Sequence, residues 1–213
     1  MAWNIRTTAY IANGFRDYLT MKHPLEFFPI QNRKQIFFML LALTLILFAV
    51  FRVLDQPLRT SAAPRGIVSF ELAGDVGTVN SILASWKQAS LLLSAVAGKP
   101  NPDIVNIPFA FAAFGLGLDY LFMPVYALTL SLGILLATQK HTAWMRSVGA
   151  VTGYGAFVAP LFDTVENYAL FQILLGRVFS PYPEIAFYCA TIKFCLLILG
   201  IATAVVLGLS SKH

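Results

Sequence analysis

Four stretches of this chain, roughly 36–54, 108–138, 143–176 and 183–209, run for about 20 residues or more with very little charge. A soluble core needs no such runs. A helix of about 20 apolar residues is what crosses the hydrocarbon of a bilayer. The composition agrees: 58% of the 213 residues are hydrophobic and only 12% are charged, about half the charged fraction of a soluble domain. The expected fold is therefore all-α, a polytopic membrane protein built as a four-transmembrane-helix bundle in a single domain. Spans two and three are longer than a bilayer requires. They must tilt, kink or project into water, and Pro124 and Pro160 offer the kinks.

The net charge of +5 fits basic loops beside anionic lipid. No dense Lys/Arg stripe lies outside the apolar runs, so nucleic acid is not an expected partner. Cys189 and Cys195 both lie in the last run. On one helix they sit about 9 Å apart, too far for a disulfide, and they read as packing residues. The first apolar run starts only after a long leader and is long enough to span, so no secretory signal is expected. Ser61-Ala62-Ala63 lies too far past that run to be its cleavage site.

Within the leader, residues 1–35, Ile11, Phe15, Tyr18 and Leu19 share one helical face. That pattern predicts a short helix in the membrane interface, broken at Pro24 and Pro29. The loop 55–103 is irregular around Pro57 and Pro64. Val76, Val79, Leu83, Trp86 and Ser90 then share a face, with Ile82, Ala89 and Leu93 beside it, and Asp75 stands where an N-cap belongs. This predicts an amphipathic helix that lies flat on the membrane or caps the bundle. Pro100-Asn101-Pro102 ends it. Residues 210–213 form a short tail. Arg6, Arg16, Lys22, Arg33, Lys34, Lys140 and Arg146 favour both termini inside and the long loop outside, although Arg52, Arg59 and Arg65 weaken the contrast.

Asp119, Asp163, Glu166 and Lys193 lie deep inside apolar sequence, accompanied by Tyr120 and Asn167. Each charge at a helix centre costs roughly 2.5–3.5 kcal/mol on insertion scales, so such groups must meet one another, meet water or be neutralised. Asp119 lies about as far before the turn near Lys140 as Asp163 lies after it. Glu166 and Lys193 are equally far from the turn near Ser180. All four can share one layer. Gly149, Gly153, Ala156, Pro160, Asp163 and Asn167 form one stripe. Ala186, Ala190, Lys193, Leu197, Gly200 and Ala204 form a second, and Gly115, Asp119, Met123, Tyr126 and Gly133 a third. Small residues and charges share faces, so the charges point into the bundle. Pro124 and Pro160 free the carbonyls of Tyr120 and Ala156 nearby. Three carboxyls against one ammonium leave a surplus that low dielectric does not tolerate. Carboxyls hold protons there, or a cation binds, or the network is inert and fixes helix register.

His23, His141 and His213 lie outside the spans, so a bundle haem with two histidine ligands is not expected. No glycine-rich phosphate loop or Cys/His metal spacing occurs. A hard cation on Asp119, Asp163 and Glu166 stays open.

Four stretches in order, Gly66 to Gly74 (GIVSFELAG), Leu116 to Phe122 (LGLDYLF), Asp163 to Asn167 (DTVEN) and Lys193-Phe194, resemble a family of uncharacterised bacterial four-helix membrane proteins. The resemblance covers roughly Arg65 to Gly200 and imports no mechanism. It implies that Glu71, Asp119, Asp163, Glu166, Asn167 and Lys193 are motif positions, with Phe70 beside Glu71 in the loop motif. The leader through about Asn32 looks like an addition to the family pattern, with a partner-docking tail as one role open to it.

Three functions are open at this level. One is a binding or accessory protein of a bacterial inner or thylakoid membrane, holding a lipid-like ligand, pigment or partner subunit, alone or as a homo-oligomer. The second is an intramembrane enzyme acting on lipid with Glu166 as acid, for which no nucleophile stands out; Ser69 beside Glu71 is commonplace. The third is a proton- or ion-coupled transporter, for which four helices are few unless the chain oligomerises.

Overall fold

A computed structural model describes residues 21–96 and 107–210, without the side chains of 93–96. The interfacial helix expected around Ile11 to Leu19, the side chain of Leu93 and the Pro100-Asn101-Pro102 stop lie outside the described residues. The described residues contain helices and turns and no strand, and four of the helices are long and apolar enough to cross a membrane.

Helix α1, Ile30–Leu54, starts six residues before the expected position. Pro29 at its N-cap has φ −55°, the angle its ring enforces. The early start is explained by Arg33, whose charge was expected to lie outside the helix. Its Nε donates to the Phe28 carbonyl at 2.8 Å and its Nη2 to the Glu26 carbonyl at 2.6 Å. The guanidinium thereby satisfies the turn that precedes the helix and is itself buried. Only Arg33 and Leu47 of α1 are buried. The helix packs chiefly on one neighbour, through Thr44 Oγ1 and Thr129 Oγ1 at 2.8 Å and the edge-on Phe51–Phe122 rings.

The long loop is ordered by Asp55 at the end of α1. Its Oδ2 accepts from Arg59 Nε at 2.8 Å, and its Oδ1 accepts the Ile67 N–H at 2.7 Å, capping a short helix, α2, Ile67–Glu71. Gly66 between them has φ +59°, and a Cβ there would overlap the Asp55 carboxylate, so only glycine fits. Helix α3, Val76–Val96, begins as the sequence predicts: Asp75 accepts the Thr78 N–H at 2.9 Å and the Thr78 hydroxyl at 2.6 Å. These bonds hold the Asp75 carboxyl below its ordinary range. Val79, Ile82, Trp86 and Ser90 are buried on the predicted face. Trp86 donates from Nε1 to the Leu58 carbonyl at 2.8 Å and packs on Phe70 and Phe109. The buried face of this helix packs as a cap on the bundle end.

Helices α4 (Ile107–Thr138), α5 (Ala143–Leu174) and α6 (Tyr182–Ser210) make the tightest packing, α5 against α6 and α4 against α5. α4 and α5 continue as helix through Pro124 and Pro160. α5 stops at Leu174, where Gly176 at φ +89° reverses the chain and donates to the Ile173 carbonyl at 2.9 Å. Gly149 takes Thr138 of α4 against its backbone, as a small-residue contact should. Gly153 instead receives the ring of His23, from the turn before α1. A core of Leu58, Phe70, Ile82, Trp86, Leu116 and Leu170, among others, joins the loop helices to α4, α5 and α6. That core closes the loop-side end of the bundle.

Candidate carboxylate–lysine site

Immediately beneath this cap the ionisable residues meet. Phe70 belongs to the cap and Glu71 follows it. Leu116 lies one turn before Asp119, and Leu170 one turn after Asn167. At the centre is Lys193 of α6, which is 5% exposed. Its Nζ donates to Asp163 Oδ1 at 2.7 Å and to Glu166 Oε1 at 2.9 Å, both on α5. Glu71 Oε1 of α2 lies 3.9 Å from the same nitrogen. Tyr126 of α4 donates its hydroxyl to Asp163 Oδ2 at 3.0 Å. Asn167 donates from Nδ2 to Asp119 Oδ2 at 2.9 Å, which ties α4 to α5 at the rim.

Of the residues singled out in the sequence, Asp119, Asp163, Glu166, Asn167 and Lys193 thus come together. Asp119 stands at the edge, partly exposed, and reaches the centre only through Asn167. Tyr120 is not part of the layer: it is 46% exposed on the outer face of α4, a step of 100° round the helix from Asp119. The α4 tyrosine that enters is Tyr126, two turns further along the Asp119 stripe.

Glu71 changes the charge balance. It is buried, and it makes three carboxyls around the lone ammonium, Glu71, Asp163 and Glu166, with Asp119 a fourth at the edge of the layer. Burial drives its carboxyl above the ordinary range, against the opposing pull of Lys193. Ser69, two residues before it, accepts the Arg65 N–H at 3.0 Å at the start of α2.

The site is short of donors. Glu71 Oε2, Glu166 Oε2 and Asn167 Oδ1 are buried without a hydrogen-bond partner. Such atoms cost about 1–3 kcal/mol each unless something donates to them. Among the described residues, no three His, Cys, Asp or Glu side chains are grouped so as to hold a metal ion. The ammonium of Lys193 stands between the carboxylates that would be the ligands.

No protein-family model, curated protein or solved structure matches the chain. What the chain does is read from its own geometry.

Proposed function

We propose that the chain is a multi-pass integral membrane binding protein whose carboxylate–lysine layer holds the donor-rich polar head of a lipid-like molecule. Its membrane would be a bacterial inner or thylakoid membrane, with both termini on the cytoplasmic side. One observation carries the reading: a buried layer with more acceptors than donors, in which Glu71 Oε2, Glu166 Oε2 and Asn167 Oδ1 lack partners. A hydroxyl- or amine-bearing head supplies the missing donors, and its positive or polarised hydrogens offset the surplus carboxylate charge. The partly exposed Asp119 at the edge of α4 gives such a head a side approach, and the cap of Phe70 and Trp86 blocks the end. For the enzymatic alternative no nucleophile stands out: Ser69 Oγ accepts the Arg65 N–H, a structural role at the start of α2.

The test is lipid analysis of the purified protein by native mass spectrometry. The wild type is expected to retain one hydroxyl- or amine-headed lipid per chain. Glu166→Gln, which removes charge but keeps shape, is expected to change which lipid is held or to lose it. A wild type that is lipid-free, or holds the same lipid population as Glu166→Gln and Asp163→Asn, overturns the proposal.

A second reading draws on a layer with four carboxyls and one ammonium: it holds exchangeable protons and couples them to transport. It predicts a protonated-carboxyl infrared band near neutral pH that disappears in Glu166→Gln or Asp163→Asn, together with pH-driven flux in liposomes. Absence of the band removes this reading and leaves the first standing.

A further inference from the structure

The opposite end of the bundle holds a cavity of about 510 Å³, a size usual for a small-molecule site. Its walls come from three separate segments: the turn before α1, the first turn of α1, and the α4–α5 connection. Among the described residues, Lys22, Arg33, Lys140 and Arg146 line it, with Glu26 as the one carboxylate. With His23 neutral the lining carries a formal charge of +3. Burial, and next to it the charge of Arg33, lower the His23 pKa to about 4, so the ring is neutral at ordinary pH.

The cavity is built rather than incidental. Arg33 is buried, and its guanidinium is fixed by the Phe28 and Glu26 carbonyls. A guanidinium has five N–H donors in a rigid fork, and the two bonds set the plane of that fork at the cavity wall. His23 anchors the turn: its Nδ1 accepts the Leu25 N–H at 3.2 Å while its ring fills the space over Gly153. Lys140 and Arg146 stand on the facing wall, exposed, at the tip of the α4–α5 hairpin. Cations converge here from three places with one carboxylate among them, the reverse of the carboxylate–lysine layer. Ile30 and Leu135 give the lining an apolar component. Beside it, Phe27 of the turn and Ile30 and Phe38 of α1 are exposed apolar side chains, a surface on which acyl chains can lie.

We infer that this cavity binds a phosphate-bearing anionic head group, with Arg33, Lys140 and Arg146 as its cationic contacts. Planar guanidinium forks match phosphate oxygens in pairs, and lysine adds a mobile point charge. The end of a membrane-spanning bundle is the level at which lipid phosphates lie. The inference does not depend on the proposed role of the carboxylate–lysine layer.

The experiment uses the full chain in detergent and measures thermal stabilisation and native-mass-spectrometric retention with three probes: phosphatidylglycerol, phosphatidylcholine and inorganic phosphate. The wild type is expected to prefer phosphatidylglycerol over phosphatidylcholine. K140Q/R146Q, at two exposed positions, is expected to lose about thirtyfold in that affinity while its melting temperature without lipid is unchanged. R65Q/R177Q, an exposed basic pair at the other end, is expected to leave the affinity within about twofold. An effect of inorganic phosphate that is lost in K140Q/R146Q supports the same phosphate site with a soluble source. An effect of phosphatidylglycerol alone supports a membrane source. Equal binding of phosphatidylglycerol and phosphatidylcholine with no response to phosphate, or equal losses in the two double variants, overturns the inference.

Discussion

The two ends of the bundle handle charge in opposite ways. At the loop-side end, Glu71, Asp163, Glu166 and Lys193 are buried together beneath the Phe70–Trp86 core, and each is answered, or left unanswered, by its immediate neighbours. At the other end, Lys140 and Arg146 stand exposed at the mouth of a cavity, and Arg33 is buried only because backbone carbonyls hold it. A sealed charge depends on its partners for its existence in that state. An open charge depends on water and is free to recruit a ligand. Structural cost and binding capacity are therefore distributed differently along one molecule.

The sharpest way to break this contrast is to remove the sealed cation. Lys193→Met leaves Glu71, Asp163 and Glu166 with no ammonium in low dielectric, and stability is expected to fall by about 3–5 kcal/mol. Lys140→Gln at the open end is expected to cost no more than about 0.5 kcal/mol. Both are read as unfolding midpoints in detergent. Adding Asp163→Asn and Glu166→Gln to Lys193→Met is expected to recover most of the loss, because two of the three uncompensated carboxyls go with the ammonium. If the triple variant is as unstable as the single one, Lys193 acts through packing and the electrostatic account of the layer is wrong.

Next in size is the joint that brings Glu71 to the layer. Gly66→Ala puts a Cβ at φ +59° and against the Asp55 carboxylate, which caps α2. Strain and the lost cap together are expected to cost about 2–3 kcal/mol. A midpoint within about 0.5 kcal/mol of the wild type would mean that the Asp55 contact is dispensable.

These two positions also mark what the sequence could and could not reveal. The convergence of Asp119, Asp163, Glu166 and Lys193 was legible because hairpin geometry makes distance from a turn equivalent to depth. The face and the Asp75 cap of α3 were legible because periodicity and capping are local. Tyr126 was legible as a stripe residue, and its hydroxyl was the available signal for an Asp163 donor; Tyr120, adjacent to Asp119 in sequence, drew attention to the wrong face. Glu71 was visible as a motif residue but not as a fourth carboxyl of the layer. It sits in a five-residue helix within a long loop, and no periodicity says where such a segment folds back. The early start of α1 was hidden for a related reason. Arg33 looks like a charge that must precede a span until the carbonyls that receive it are known. The basic cavity was not legible at all, since each of its cations reads by itself as a surface charge.

A smaller effect is expected where the leader turn meets α5. Gly153→Ala directs a methyl at the His23 ring, the far end of a side chain that can turn aside. The expected cost is about 1–2 kcal/mol, below that of Gly66→Ala, where the obstructing carboxylate is itself held by two bonds. Because the ring helps set the cavity wall, phosphatidylglycerol affinity is expected to fall in step. A destabilised variant with unchanged lipid preference would separate the turn from the cavity.

The least perturbing test follows His23 itself. Its pKa is lowered from 6.5 to about 4 by burial and, second, by Arg33. Docking of the turn is therefore at full strength above pH 6.5, where both docked and free rings are neutral. As pH falls from 6.5 towards 4 the free ring takes up a proton that the docked ring refuses, and docking weakens. Below about 4 both are protonated and the penalty stops growing. The loss is confined to the turn, because the turn can release before the spans do, so the global midpoint moves little. Titration of the His23 ring signals by NMR is expected to give a midpoint near 4 in the wild type and one nearer 6.5 in Gly153→Ala, whose methyl expels the ring. An anionic head group bound beside Arg33 is expected to raise the wild-type value, since it offsets the guanidinium charge that acts on the ring. A wild-type midpoint at 6.5 would show that the ring is not buried against α5, and the cavity would lose the wall that the turn provides.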